Sequence, residues 1–389
     1  MLASTYPRWA NDPEPAFVHE LAKRLTATFA VHVLCPHAKG AARRGHLEGV
    51  EVHRYQYAPE SWETLVSGGG MLANLKSAPL RWLLVPGFLL VQFLATLRLL
   101  RAIQPAVVHA HWLLPQGLLA ALAITCSRRH CALLVTSHGI DLFALRGALP
   151  TYLKRRVIKS ADAITVVSSA MVPEVMALGA SGKDVVVSPM GVDFSGRFKN
   201  SDIVRLPNHL LFVGRLVEKK GLEHLLRAMP QILVRCPDIQ LEVVGEGPLR
   251  PALQQLALGL GLESRVTFRG ALPNVELPKI YARATMLIAP FVVAKSGDQE
   301  GLGLVVAEAL ACGCPVIVGD VPATRDFCIP LIEPVTPASI AVAVFEMLKH
   351  PEAERRQFAE AHFRAVAGRL DWEVVAARYR DLLQDLLQS

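Results

Sequence analysis

Gln299-Glu300-Gly301-Leu302-Gly303-Leu304-Val305-Val306-Ala307-Glu308-Ala309-Leu310-Ala311-Cys312-Gly313-Cys314-Pro315 sets two carboxylates around a glycine-bearing loop that runs into a short apolar helix. Such a loop lets backbone approach a ligand closely. It also turns the first helix amides toward a phosphate and offers carboxylates to sugar hydroxyls. An ordinary α/β domain contains similar helices, so the segment alone leaves both readings open. Further back, Phe212-Val213-Gly214-Arg215-Leu216-Val217-Glu218-Lys219-Lys220-Gly221-Leu222 is an apolar strand that breaks at Gly214, with cations before the next helix. Fixed cations beside a strand's carboxyl end suit a diphosphate, although charges outside strands also suit a solvated loop.

The strand-loop-helix alternation continues in both directions. β-Branched runs predict strands at 31–35, 50–55, 106–110, 132–136, 163–167 and 184–188. A second series follows at 209–213, 240–244, 266–269, 286–289 and 315–319. Each is joined to the next through a plausible crossover helix, as a doubly wound parallel sheet requires. Two such series imply an α/β chain of two Rossmann-like domains facing each other across a cleft at the carboxyl ends of their sheets.

The two quoted segments resemble the family 4 retaining glycosyltransferases, which have the two-domain GT-B fold and transfer sugars from nucleotide diphosphates. The family's glutamate pair falls on Glu300 and Glu308, and its Gly-Arg-Leu then Lys-Gly pattern on Gly214, Arg215, Leu216, Lys220 and Gly221. Val244-Gly245-Glu246-Gly247-Pro248 and Arg265-Val266-Thr267-Phe268-Arg269-Gly270 lie between them in the family's order. The resemblance implies that the C-terminal half holds a nucleotide-diphosphate sugar as co-substrate, with no metal or other cofactor. Arg215 and Lys220 would neutralise the diphosphate. Gly214, Gly245 and the backbone of Gly301, Leu302, Gly303 and Leu304 would line the donor. Glu308 would accept the ribose hydroxyls and Glu300 those of the sugar. Retention without a protein nucleophile is the implied outcome, the leaving phosphate taking the acceptor's proton. Double displacement through a carboxylate pair is the competing chemistry.

The segment 188–198 resembles the family's inter-domain Pro-Asn-Gly-Val-Asp stretch, with Met190 in place of Asn. It sets the expected division: an N-terminal acceptor domain over 1–198, a donor domain over 199–370, and a last helix over 371–389 that the fold returns to the N-terminal domain.

The N-terminal half matches less closely. Thr5-Tyr6-Pro7-Arg8 and Phe17-Val18-His19-Glu20-Leu21-Ala22-Lys23 look like the first loop and helix, where many relatives carry a glycine pair. Here Ala10-Asn11-Asp12-Pro13-Glu14-Pro15 has no glycine, so this loop is expected to shape the acceptor side, with Arg8 as a candidate. So few residues precede Ser4 that the first strand is very short or the start lies upstream of Met1. Histidines stand at two strand ends, in His109-Ala110-His111-Trp112 and in Thr136-Ser137-His138-Gly139-Ile140-Asp141. His138 resembles the histidine of the family's His-Gly turn, which reaches the donor sugar, and joins Glu300, Arg215 and Lys220 as a catalytic candidate. His109, His111 and Asp141 are acceptor-side candidates, though strand-end histidines also satisfy backbone groups. The three histidines have no carboxylate at a spacing that suggests a metal site.

Composition bounds the rest. A chain of 389 residues, 52% hydrophobic, can bury two cores. Its seven cysteines are scattered with no Cys-x-x-Cys pair, against a disulfide framework or zinc site. The first residues lack a signal's apolar core, so a cytoplasmic location is expected. A net charge of +7 and a pI near 9.1 suit anionic substrates or lipid, but the basic residues are dispersed and no nucleic-acid reader motif appears. The apolar stretch 83–97, flanked by Arg81, Arg98 and Arg101, is 15 residues long, short of the roughly 20 that span a bilayer. It reads either as a buried helix of the N-terminal core or as an interfacial segment anchored by arginines and Trp82 on the cytoplasmic face of a membrane. Phe88→Asp would separate the two, by release from vesicles or by loss of stability.

The combined reading is transfer to a glycan or lipid-linked acceptor in cell-envelope synthesis. A glycan phosphorylase is the alternative within enzymes, but no lysine-bearing pyridoxal phosphate motif is evident. A non-catalytic nucleotide- or glycan-binding subunit is the other, favoured by the first loop and by Asp320-Val321-Pro322-Ala323-Thr324, where relatives more often carry glycines and a glutamate.

Overall fold

The computed structural model describes all residues except 11, 13–15, 67–69, 181–184, 202 and 389. Part of the first loop and the start of the strand expected at 184 lie outside the described residues. The chain forms two units, Met1–Gly191 with Trp372–Ser389, and Val192–Asp371.

In the first unit the strands are β1 (His32–Pro36), β2 (Arg44–Leu47), β3 (Val50–Tyr55), β4 (Val107–His111), β5 (Ala132–Ser137), β6 (Ala163–Val166) and β7 (Val185–Val187). They run in the orders β1-β3-β2 and β4-β5-β6-β7, parallel except for β2 against β3. Leu2 joins the two ladders by bridging Leu34 on one side and Ala110 on the other. Its N–H donates to His109 O at 2.8 Å and its carbonyl accepts from His111 N–H at 3.0 Å. Among the described residues the first strand is this one bridging residue, with partners on both sides. The sequence reading omitted β2, whose Arg-Gly-His-Leu run is almost wholly exposed at an edge and carries no apolar period.

The second unit holds β8 (His209–Val213), β9 (Gln240–Val244), β10 (Val266–Gly270), β11 (Met286–Ala289), β12 (Val316–Gly319) and β13 (Leu331–Ile332). All are parallel, in the order β10-β9-β8-β11-β12-β13. The near-continuous apolar strands reflect a sheet covered on both faces. Leu210, Phe212, Val243 and Ile288 pack with Leu225 and Met229 of helix Leu222–Arg235 and with Ile340 and Val344 of helix Pro337–Lys349. Strand order reverses between β8 and β11, and in such sheets ligands bind outside the carboxyl ends at that point.

The division differs from the expected boundaries after 198 and 370. Val192 N–H donates to Leu370 O at 2.7 Å, and Val192 bridges Asp371. Phe194 meets Phe363 edge-on at 5.0 Å and Phe198 lies 6.3 Å from Tyr281. These contacts fix 192–198 within the second unit. Helix Trp372–Gln388 belongs to the first, where Tyr379 OH lies 3.3 Å from Thr136 Oγ1 and 3.2 Å from Thr165 Oγ1.

The apolar stretch is longer than the sequence suggested. Pro79–Ile103 is one helical segment of 25 residues containing an 18-residue stretch of mean hydropathy 2.0, long and apolar enough to cross a membrane by length and composition. Phe88, Gln92, Thr96 and Leu100 form its buried face, while Leu80, Trp82, Leu83 and Leu90 are exposed. Phe88 packs edge-on to Tyr55 and Tyr57 at 5.7 and 5.1 Å and is fully buried. It is a core residue, so its substitution tests packing rather than membrane contact.

Candidate active site

At the switch point of the second unit, glycines bring strand ends into close contact. Gly214 N–H donates to Val244 O at 3.0 Å and Gly245 N–H to Gly270 O at 2.8 Å. A Cβ on Gly245 would stand 2.0 Å from Gly214 O, so only glycine permits this approach. The loop leaving β8 then binds the loop leaving β11. Val292 N–H donates to Lys219 O at 3.0 Å, Lys295 N–H to Glu218 Oε1 at 2.9 Å, and Lys219 Nζ to Asp298 Oδ1 and Gln299 O, both at 3.1 Å.

Lys220 Nζ lies 2.6 Å from Glu300 Oε2 as an ion pair, off the direction of a good hydrogen bond, and 4.7 Å from the centroid of the Phe291 ring. Burial pushes the Glu300 carboxyl up, but Lys220 and Lys219 outweigh it and hold the group down at about 2. Arg215 is half-buried in the same loop. Burial lowers its pKa against the opposing charge of Asp298.

Gly303, at φ +81°, starts helix Leu304–Ala311 with a backbone that other residues rarely adopt. Val306 N–H donates to Gly303 O at 3.0 Å, while the amides of Leu304 and Val305 precede the helical ladder and remain available to an anion. Gly301, Leu302 and Gly303 are buried. Glu308 lies on this helix and accepts a 2.8 Å hydrogen bond from Tyr281 OH. Burial pushes Glu308 up, while the Tyr281 hydroxyl and Lys220 oppose it. Sequence reasoning missed Tyr281, since no spacing links helix Leu277–Arg283 to Glu308.

The first unit gathers its histidine candidates at strand carboxyl ends, in a neutral form. His111 Nδ1 and His138 Nε2 are 3.0 Å apart. The His138 ring lies 4.9 Å from both Phe17 and Trp112. Burial lowers His138 to about 3 and holds His109 and His111 well below the ordinary histidine value. His109 Nε2 contacts Thr136 Oγ1 at 2.7 Å, and its ring stacks at 5.4 Å from Tyr379. Asp141 is buried and holds the turn, accepting from Leu113 N–H at 2.7 Å, Ser137 Oγ at 2.9 Å and His138 N–H at 3.2 Å. Arg8 is gripped by Asp12 at 2.8 and 2.7 Å and lines a cavity of about 330 Å³ with Tyr6, His37, Lys39 and Glu63. Trp112, also missed, follows β4 at φ +76°. For a bulky side chain that is stored strain, of a kind that collects at functional sites.

Comparison with known proteins follows this division. The Glycosyltransferase Family 4 model matches residues 16–195, and the Glycosyl transferases group 1 model matches 207–350. A GDP-mannose-dependent alpha-(1-6)-phosphatidylinositol monomannoside mannosyltransferase of Mycolicibacterium smegmatis is 32% identical over 53% of this chain and 56% of its own length. The N-acetyl-alpha-D-glucosaminyl L-malate synthase of Bacillus anthracis is 26% identical over 73% of this chain and 75% of its own. The chain spans about half the length of most curated relatives it matches. Sucrose-phosphate synthase of Thermosynechococcus elongatus has a TM-score of 0.77 at 21% identity, covering 96% of this chain and 93% of its own. HepE of Anabaena, solved with UDP and glucose, has a TM-score of 0.73 at 16% identity, covering 99% and 98%. The architecture is GT-B, and with a family model matching each half the chain belongs to the group 1, family 4 glycosyltransferases.

Proposed function

We propose that the protein is a retaining glycosyltransferase that moves a sugar from a nucleotide-diphosphate sugar to a glycan or lipid-linked acceptor in cell-envelope synthesis. The meeting of Lys220 and Glu300 at 2.6 Å, where strand order reverses, carries the proposal. Lys220 and Arg215 neutralise the diphosphate and the charge that grows on it as the glycosidic bond breaks, the role a metal ion plays elsewhere. Amides at the start of helix Leu304–Ala311 add to this. Glu308, oriented by Tyr281, accepts the ribose hydroxyls, and Glu300 holds those of the sugar. Glu300, paired with Lys220, is assigned to the sugar hydroxyls rather than to attack on the anomeric carbon, which leaves the departing phosphate oxygen to take the acceptor's proton. Relatives named for GDP-mannose and a neighbour solved with UDP and glucose support the donor class.

In this proposal the protein works in the cytoplasm, docked on a membrane through the exposed Leu80, Trp82, Leu83 and Leu90. Leu83→Asp with Leu90→Asp should release it from anionic vesicles in a flotation assay with Tm unchanged. Retention on the vesicles would remove this surface from the proposal.

Thermal unfolding with GDP, UDP, ADP and dTDP and their sugar conjugates tests the donor site. A ligand at about 100 times its Kd adds roughly 2.7 kcal/mol. Selective stabilisation by one nucleotide, lost in Arg215→Ala and Glu308→Ala, is expected. Stabilisation by none would favour a scaffold that has lost its donor.

A further inference from the structure

His32, Glu51 and His53 converge away from the residues discussed above. His32 opens β1, and Glu51 and His53 lie two apart on the neighbouring strand β3. In the parallel register His32 pairs with Glu51 and Leu34 with His53. Side chains two apart on a strand share a face, so the pleat sends all three to one side of the sheet.

One ligand atom from each lies within 4.8 Å of the others. His32 Nδ1 lies 3.3 Å from His53 Nε2 and 3.3 Å from a Glu51 oxygen. His53 Nε2 lies 3.1 Å from the other Glu51 oxygen. Ligands on a tetrahedron with bonds of about 2.0–2.1 Å stand about 3.3–3.4 Å apart, so the two imidazole nitrogens have zinc-ligand spacing and the Glu51 carboxylate spans them with one oxygen near each. Hydrogen bonding alone accounts poorly for two imidazole nitrogens aimed at each other and at one carboxylate. A cation bound by all three accounts for the convergence directly.

His53 is buried and Glu51 half-exposed, and His46 of β2 stands opposite Glu51 in the register.

We infer that His32, Glu51 and His53 form a binding site for a divalent first-row cation of the zinc type, stapling β1 to β3. The ligand set of two imidazoles and one carboxylate suits Zn²⁺ and its neighbours rather than Mg²⁺ or Ca²⁺. The site lies on β1 and β3, whereas the histidine candidates of the first unit stand at the carboxyl ends of β4 and β5, so its effect is on stability and not on transfer chemistry.

The test is equilibrium dialysis of Zn²⁺ and Co²⁺ into the chelator-stripped protein, with Co²⁺ d–d absorption and Tm as readouts. One ion per chain is expected, with a raised Tm and visible Co²⁺ bands. His32→Ala and His53→Ala should weaken binding by more than the roughly 10–100-fold that an outer partner costs. Glu51→Gln, at a half-exposed position, keeps the fold and should also weaken it, while His130→Ala at an exposed site should not. Absence of bound ion, or equal binding by wild type and Glu51→Gln with unaltered Co²⁺ bands, overturns the inference. Retained Zn²⁺ stabilisation in His32→Ala does the same.

Discussion

The two units use one local plan, a parallel strand ending in a loop that bears functional groups, to build opposite electrostatic environments. In the second unit Lys219, Lys220, Asp298 and Glu300 are locked as ion pairs. In the first, His109, His111 and His138 are buried and neutral among Phe17, Trp112 and Tyr379. The difference follows from what surrounds each loop. A carboxylate with two lysines beside it stays charged in spite of burial, whereas an imidazole packed against aromatic rings loses its proton. One surface is suited to stabilise charge and the other to position a neutral hydrogen-bonding partner.

The most direct way to break this comparison is to remove a cation. Arg215→Ala or Lys220→Ala should lower kcat/KM by about 10²–10³, the equivalent of the roughly 2.7–4 kcal/mol lost with one oxyanion donor. Steady-state transfer with wild-type turnover in either variant would take that residue out of the charge-stabilising set.

A smaller effect separates the two glutamates. Hydrogen bonds to charged groups contribute about 1.5–3 kcal/mol, so Glu308→Gln should weaken binding of the bare nucleotide diphosphate by about 10–150-fold. Glu300→Ala should lower transfer by more than it lowers that affinity. Calorimetry on both variants checks this, and equal losses of nucleotide affinity would contradict the division of labour.

The smallest effect, on stability, sharpens the contrast through pH. His138 falls from 6.5 to about 3 on folding, so its contribution is present above pH 6.5 and is lost as pH falls toward 3. Glu300 falls from 4.5 to about 2, so its contribution persists to pH 4.5 and is lost as pH falls toward 2. Of these two groups, His138 therefore sets a slope of Tm between pH 6.5 and 4.5, where Glu300 adds none. His138→Asn should flatten that slope, and Glu300→Gln should lower Tm by a constant amount above pH 4.5 and change the slope only below it. A Glu300→Gln effect on the slope above pH 4.5 would show that the ion pair is coupled to the histidines.

Much of this organisation is legible in the sequence. The strands at 50–55, 209–213, 240–244 and 286–289 fall where the apolar runs place them. Gly214 and Gly303 mark a strand break and a helix start. Elements that lack a local period were missed or misjudged. The edge strand β2 is too polar, and the helix through Phe88 shows its core face only once Tyr55 and Tyr57 pack against it. The first junction moved because Val192 is tied to Leu370 and Asp371, residues far along the chain.

The sequence by itself determined the α/β alternation, the two series of strands and the loops that carry Arg215, Lys220, Glu300, Glu308 and His138, because residue periodicity and glycine breaks act over a few residues. Only the tertiary structure decided that Lys220 meets Glu300, that Tyr281 serves Glu308, that Leu2 joins two ladders, and that His32, Glu51 and His53 converge. Those contacts depend on strand order and register, which long-range packing sets and no local spacing encodes.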